Sequence, residues 1–280
     1  MMNEEKKEEM RARVKSVITV SGGVCVALLA LACTSSADPD EDTGRREDAA
    51  YALCQRVWST HEIPVCWDNF DEISPEHREL VRIAIANTWS SVANVDFSGW
   101  GACEGGRSLS PGIHIRSADE HPRTMGLGAE LAHVPGGMVL NFQFEGWGHE
   151  DCGMNEDDRR FCARAIAVHE FGHALGFSHE QNRPDTPDLC ADQPQGENGD
   201  TLIGTWDADS VMNYCNPRWN NGGELSDLDI EAVQSIYGLR DVAPTASNSG
   251  NSTSPASSRA PSAAVAPPRC TNALFGRGQP

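Results

Sequence analysis

The chain has 280 residues and a formal net charge of −19, with 22 Lys and Arg against 41 Asp and Glu. This length allows one good-sized domain with tails, or two small domains. The acidic balance argues against nucleic acid or an anionic membrane surface as a partner, because both bind basic surfaces.

Residues 1–32 have the order of a secretory signal. A basic stretch that ends at Lys15 precedes the apolar run "SVITVSGGVCVALLALAC", which is short for a membrane-spanning helix. The ending "LLALAC" resembles a bacterial lipoprotein signal, in which Cys33 would be lipidated and would become the mature N-terminus. Plain secretion, with cleavage near Ala32 or Ala37, is the alternative. Either interpretation predicts an extracytoplasmic protein, which is membrane-anchored through Cys33 or free.

An oxidising compartment permits disulfides, and eight cysteines lie beyond the signal. None of them forms a CxxC pair, so a cysteine-based metal site is not expected. Cys270 would pair with a domain cysteine or stay free. Sequence does not decide connectivity. Short spacing favours the pairs Cys54 with Cys66, Cys152 with either Cys162 or Cys103, and Cys190 with Cys215.

Two polar segments flank a predicted domain at 51–240. Residues 33–50 are polar and acidic without an apolar period, which is typical of a flexible spacer. Residues 241–280 are rich in Pro, Ala, Ser and Thr with few bulky apolar residues, which predicts a disordered tail.

Within the domain, strand patterns come first. The β-branched and aromatic stretch 56–68 indicates a strand or hairpin start. The alternation in 112–118 predicts a half-buried strand, and 137–144 follows the glycine turn of "VPGG" as a further strand.

Helix signals accompany these strands. Ser74 and Pro75 match an N-cap and a first helical position. A second helix is predicted over 157–175, with an apolar face that includes Phe161 and with Gly176 ending it in a left-handed conformation. A last helix over 226–237 begins with a capping-box variant. Strands followed by helices on one side predict the α+β class.

The stretch "HEFGHALGFSHEQNRPD", residues 169–185, carries the chemistry. His169 and His173 are four residues apart on the second helix, so both imidazoles project to one point and can share a zinc ion. Gly176 allows a sharp turn after which His179 can supply a third nitrogen. Three imidazoles leave a position open for water, the pattern of a catalytic site. The alternative is that these are ordinary polar residues on a helix and a loop that bind no metal. The full HExxHxxGxxH spacing favours zinc.

This stretch resembles the zinc-binding motif of the metzincin metallopeptidases. The segment "SVMNY", residues 210–214, is similar to the clan's Met-turn, so the resemblance implies that Met212 forms an apolar floor beneath the zinc histidines. It also implies a metzincin-like fold, a twisted mixed sheet with an active-site helix and a C-terminal helix.

Two metzincin families share the resemblance. "HEQNRPD" from His179 onward, and a tyrosine two residues after the methionine, are similar to astacins, in which Tyr214 would be a movable zinc ligand that stabilises the transition state. "GLGAELAHVPGGMVLNFQFEGW" and "LSDLDIEAVQSIYG" resemble the edge-strand region and the closing helix of matrixins. Unlike astacins, the chain has Thr186 and Pro187 after Asp185.

The resemblance implies a zinc-dependent endopeptidase acting on protein or peptide substrates. One catalytic zinc would be held by His169, His173 and His179, and Glu170 would act as general base. A peptide would add as a strand to an edge at 137–144. The alternative is a catalytically silent, zinc-stabilised surface binding or adhesion module.

Further metal sites are weaker hypotheses. The insert "GHEDCGMNEDDRRFC", residues 148–162, has an acidic cluster that could hold calcium, with a solvated loop pinned by a disulfide as the alternative. A zinc-blocking role for the Cys270 thiol is weighed against a simple disulfide. Matrixins carry a second, structural zinc, but exposed strand and loop histidines explain the residues here equally well. The candidates are His114, Asp119, His121 and His133.

Overall fold

The computed structural model describes residues 50–104, 110–147, 152–190, 195–216 and 218–240, together with Cys270. The predicted signal with Cys33, the spacer as far as residue 49 and the tail other than Cys270 lie outside these residues. So do residues 148–151 of the insert in which calcium is considered. Among the described helices, none is long and apolar enough to cross a lipid bilayer.

A five-stranded mixed sheet forms one layer of the fold, in the order β3-β2-β4-β6-β5. The first four strands in this order run parallel to one another, and β5 pairs antiparallel with β6. A separate antiparallel pair joins β1 to β7. The strands are β1 (Ala50–Ala52), β2 (Glu62–Trp67), β3 (Asp96–Ala102), β4 (Ile113–Ser117), β5 (Arg123–Thr124), β6 (Met138–Leu140) and β7 (Thr201–Ile203).

Four helices complete the described fold: α1 (Pro75–Asn87), α2 (Trp89–Val92), α3 (Glu156–Ala174) and α4 (Asp227–Tyr237). The predicted helix starts are confirmed, because the Ser74 side chain accepts a hydrogen bond from the His77 N–H, and Ser226 and Asp229 form a capping box. The α+β class with a mixed sheet and a C-terminal helix is therefore confirmed.

Helix α3 is the centre of the core. From Cys162 to Ala174 every residue except Arg164 is buried. Trp89 packs beside it, donates its indole N–H to the Val168 carbonyl at 2.8 Å and stacks on Phe177. The predicted face is wrong at Phe161, whose side chain is 42% exposed, because the buried part of the helix begins one residue later.

Two strand predictions need correction. The segment 137–144 forms only β6, Met138–Leu140, and β6 lies between β4 and β5, so the free edge on this side belongs to β5. The predicted half-buried strand at 112–118 is fully buried at its start, His114 included, because β4 lies between β2 and β6. β1 begins at Ala50, the last residue of the predicted spacer.

Four disulfides tie the described residues together. Cys152–Cys162 and Cys190–Cys215 agree with the spacing argument, whereas the pairing of Cys54 with Cys66 is wrong. Cys66 bonds Cys103, and Cys54 bonds Cys270 across 216 residues. Cys270 is buried, and its sulfur is consumed by this bond, which removes it as a zinc-blocking thiol.

The Cys54–Cys270 bond should contribute more to stability than a short-range disulfide. Closing a loop of 216 residues restricts the unfolded chain by about 5 kcal/mol, against about 3 kcal/mol for the 10-residue separation of Cys152–Cys162. We expect the double variant Cys54→Ala, Cys270→Ala to lose more free energy of unfolding in urea titrations than Cys152→Ala, Cys162→Ala. All four cysteines are buried, so the two variants are matched. An equal or smaller loss would contradict the long-range bridge.

Candidate metal centre

The first two candidate ligands lie on the last turns of α3. The Asn155 side chain caps the helix by accepting from the Asp158 N–H, and three acidic residues in the first turn favour the helix dipole. At the other end the chain reverses at Gly176, whose φ of 101° suits glycine. The reversal brings His179 back beside His169 and His173.

The three imidazoles converge through their Nε2 atoms. His179 Nε2 lies 3.2 Å from the Nε2 of both His169 and His173. These atoms come from a helix and from the loop that follows it, so the spacing of the motif places the three histidines side by side.

Each imidazole is oriented by a backbone carbonyl at its other nitrogen. His169 Nδ1 donates to Val211 O at 2.7 Å, His173 Nδ1 to Phe177 O at 2.8 Å and His179 Nδ1 to Gln195 O at 2.8 Å. A carbonyl only accepts, so every Nδ1 carries the hydrogen and every Nε2 presents a lone pair. The three rings are therefore fixed in the tautomer that binds a metal.

Burial keeps these rings uncharged. Desolvation lowers the pKa of His169 to about 3 and that of His179 to about 4, and it lowers the pKa of His173 well below its ordinary value. Neutral imidazole is the metal-binding form, and a group of three imidazole nitrogens suits a catalytic zinc. The donor set thus fits zinc, and the site could hold one ion.

Glu170 lies next to His169 on α3 and is buried. Desolvation raises the pKa of its carboxyl group to about 8. Its Oε2 atom is enclosed and has no hydrogen-bond partner among the described residues. A buried acceptor without a partner is costly, which indicates that the site is built to receive a further polar group at this atom.

Tyr214 covers the histidine cluster. Its ring stacks on His169 with centroids 5.3 Å apart and lies 4.5 Å from the His179 ring. Burial, followed by the nearby charge of Glu170, raises the pKa of the phenol well above its ordinary value. The hydroxyl therefore keeps its proton and remains a hydrogen-bond donor at neutral pH.

Met212 packs against α3 between the two helical histidines. The Met212 side chain contacts the helix at Gly172. A Cβ added to Gly172 would overlap the Met212 sulfur and lie 3.2 Å from Trp89. The Met212 side chain is therefore an apolar support of the turn that carries the Val211 carbonyl, and its role as a floor beneath the zinc histidines stays a prediction.

A buried aspartate from α4 holds this turn, and the sequence analysis did not assign it this role. Asp229 accepts from Ser210 Oγ at 2.7 Å and from the Val211 N–H at 2.9 Å. It thus fixes the residue whose carbonyl orients His169. The capping box marks Asp229 in the sequence, but its second contact depends on tertiary structure.

The residues considered for a second zinc do not meet at one point. His114 contacts Asp68 and the Ser110 carbonyl, while His133 contacts that same carbonyl. Asp119 accepts from Asn141 and from loop backbone, and His121 packs on Trp147. Apart from the histidine cluster, the described residues hold one other ligand group, Cys66, Cys103 and His114, and its two sulfurs are joined in a disulfide.

Gly172→Ala should damage the centre by pushing Met212 away from α3. Overpacking of this kind costs roughly 1–3 kcal/mol, and the displaced turn should also weaken zinc binding by moving the Val211 carbonyl. We expect a lower urea midpoint and faster zinc loss to a chelator. Gly101→Ala is the matched control, because no atom lies within 4 Å of its added Cβ. Equal behaviour of the two variants would contradict the contact.

Comparisons with known proteins agree with this centre over a limited stretch. The family model described as Astacin (Peptidase family M12A) matches residues 158–191. Bone morphogenetic protein 1 of Xenopus laevis is 32% identical in an alignment of 93 residues that covers 27% of this chain and 13% of that protein.

Two solved structures are similar in part. The structure of myroilysin shares 20% identity with a TM-score of 0.46 over 68% of this chain and 99% of that one. High choriolytic enzyme 1, a hatching enzyme zinc-protease from Oryzias latipes, shares 17% identity with a TM-score of 0.41 over 66% of this chain and 94% of that one. The matrixin-like segments lie outside the family match and stay predictions. Over residues 158–191 the resemblance to astacin-like metzincins is confirmed.

Proposed function

We propose that the protein is an extracytoplasmic zinc-dependent endopeptidase. The observation that carries the proposal is the joint geometry of three Nε2 lone pairs and one unpartnered carboxylate oxygen, Glu170 Oε2, in a buried site. Four disulfides among the described residues are typical of an oxidising compartment. Lipidation at Cys33 and free secretion remain the two alternatives for its location.

His169, His173 and His179 would hold the zinc. When bound, zinc supplies a Lewis acid and lowers the pKa of a water ligand toward roughly 7. Glu170 would accept the proton of the attacking water at its carboxylate and transfer it to the leaving amine. Its enclosed Oε2 atom, which has no partner among the described residues, suits this task because it can receive the hydrogen of the water.

Tyr214 would donate its phenolic hydrogen to the oxyanion that develops on the peptide carbonyl. The ring is held against His169 and His179, and its raised pKa keeps the donor protonated. A donor placed before the reaction costs no reorganisation in the transition state, which makes such groups effective.

The peptide would bind in an extended conformation along β5. This strand is the edge of the sheet, and it lies beside α3. The charge of Arg123 on β5 acts on Glu170, so the edge is near the reacting groups. An added strand would pair with the outward-facing backbone groups of Thr124, because Arg123 faces β6 in the antiparallel register. This replaces the edge expected at 137–144.

Glu170→Ala should retain zinc and lose peptidase activity. The carboxylate is not among the three nitrogens, so metal content should stay near one ion per chain. Loss of the general base should lower kcat by roughly two to four orders of magnitude. Zinc analysis measures the metal content and casein hydrolysis measures the activity, each with and without a chelator.

The same assay on the wild-type chain separates the two proposed functions. Casein hydrolysis that the chelator abolishes supports the enzyme. A wild-type chain that binds zinc and leaves casein intact supports the binding or adhesion module instead.

Tyr214→Phe should be milder than the loss of Glu170. It removes one oxyanion donor, which is worth roughly 2–4 kcal/mol of transition-state stabilisation, while the ring can still pack on the histidines. We expect kcat to fall with KM and zinc content unchanged. A higher KM with an unchanged kcat would contradict the role of the hydroxyl in the transition state.

A further inference from the structure

Gln181 connects the segment after the third histidine to the turn that carries the tyrosine. It lies two residues beyond His179 in the 3₁₀ turn Glu180–Asn182, and it is 5% exposed. Its side-chain Oε1 accepts a hydrogen bond from the Tyr214 N–H at 3.1 Å, across 33 residues of sequence. The bond joins two parts of the site that no local spacing brings together.

The neighbours of Tyr214 are anchored by other groups. Met212 O accepts from the Glu180 N–H at 3.0 Å, and Asn213 donates from its side chain to Asp207 O at 2.6 Å. Cys215 is joined to Cys190. The Gln181 bond is the contact that fixes the Tyr214 peptide itself between these anchors.

The amide of Gln181 is unusual because only half of it is used. Its Nε2 is buried and has no hydrogen-bond partner among the described residues. A methionine has a similar length and would bring no unpaired donor of its own. Glutamine at this position therefore has a cost, which the acceptor function of Oε1 offsets.

We propose that Gln181 is a positioning residue for Tyr214, holding the tyrosine peptide so that its ring lies against the His169 and His179 imidazoles. The inference rests on the proposed peptidase function. Without the acceptor the Tyr214 N–H loses its partner in a partly buried place, and the turn relaxes to find another partner. The phenol then moves from its place over the zinc ligands, and a displacement of about 1 Å is enough to weaken a transition-state contact.

Amide hydrogen exchange measures the bond without using activity. The chain has three tyrosines, so ¹⁵N-tyrosine labelling gives amide signals from Tyr51, Tyr214 and Tyr237 alone. In Gln181→Met the Tyr214 amide should exchange about tenfold faster or more, while the other two stay unchanged. Gln181→Glu keeps an acceptor and should preserve the protection. Gln234→Met is the matched control, because Gln234 bonds Val92 O on α2 and should leave Tyr214 exchange unaltered.

A double-mutant cycle then tests whether Gln181 acts through the phenol. Gln181→Met should lower kcat about tenfold with KM and zinc content unchanged, and it should cause no further loss in a Tyr214→Phe background. An equal loss in both backgrounds, or unchanged Tyr214 exchange, would overturn the proposal. If the wild-type chain cleaves no casein, the proposed function fails and catalytic positioning fails with it. The exchange rates would still decide whether Gln181 fixes the Tyr214 peptide.

Discussion

The centre depends on three hydrogen bonds that donate from histidine Nδ1 atoms to backbone carbonyls. They decide which nitrogen of each ring carries the hydrogen and in which direction the free lone pair points. The carbonyls come from Val211, Phe177 and Gln195, which lie in three different segments. The Met-turn, the glycine turn after α3 and the loop before β7 must therefore all be in place before the three Nε2 atoms can converge.

This requirement explains why α4, far along the chain, belongs to the site. Its capping residue Ser226 and the buried Asp229 satisfy each other at the helix start, and Asp229 also binds Ser210 and the Val211 backbone. Desolvation raises the pKa of Asp229 to about 6, but three donors compensate for its burial. The Asp229 carboxylate thus both caps α4 and holds the turn whose Val211 carbonyl orients His169.

The parts of the site that the sequence predicted are those fixed by local geometry. His169 and His173 follow from the helical repeat, His179 from the glycine reversal, and Met212 and Tyr214 from a resemblance carried by five consecutive residues. The carbonyl of Gln195 and the second contact of Asp229 could not be predicted, because a backbone carbonyl has no side-chain signature and both contacts are tertiary.

The errors in the fold have related causes. Phe161 was expected to be buried because α3 was treated as an amphipathic helix, yet its second half is enclosed on all sides and has no polar face to mark a period. β5 is two residues long, so no alternation could reveal it, and the edge was assigned to 137–144 instead. Cys54 was paired by proximity in sequence, whereas its partner lies 216 residues away.

The residues after His179 explain why the motif extends beyond its metal ligands. Glu180 donates its N–H to Met212 O and accepts the Asp207 N–H, Gln181 binds Tyr214, and Asn182 holds both backbone groups of Gln195. Each contact fixes a different part of the site.

Arg183 extends these contacts to the two-stranded sheet. Its buried guanidinium forms a bidentate pair with Asp185 and donates to carbonyls of Ala50 on β1 and Ile203 on β7. A buried cation is tolerated only when its donors are satisfied. Here backbone carbonyls and the Asp185 carboxylate satisfy them, and the Glu180 carboxyl group lies 3.3 Å from Arg183 Nε. The loop from His179 to Asp185 is thus the structural link between the metal ligands, the Met-turn and the pair β1–β7, which explains why Glu180, Gln181 and Arg183 are buried rather than solvated.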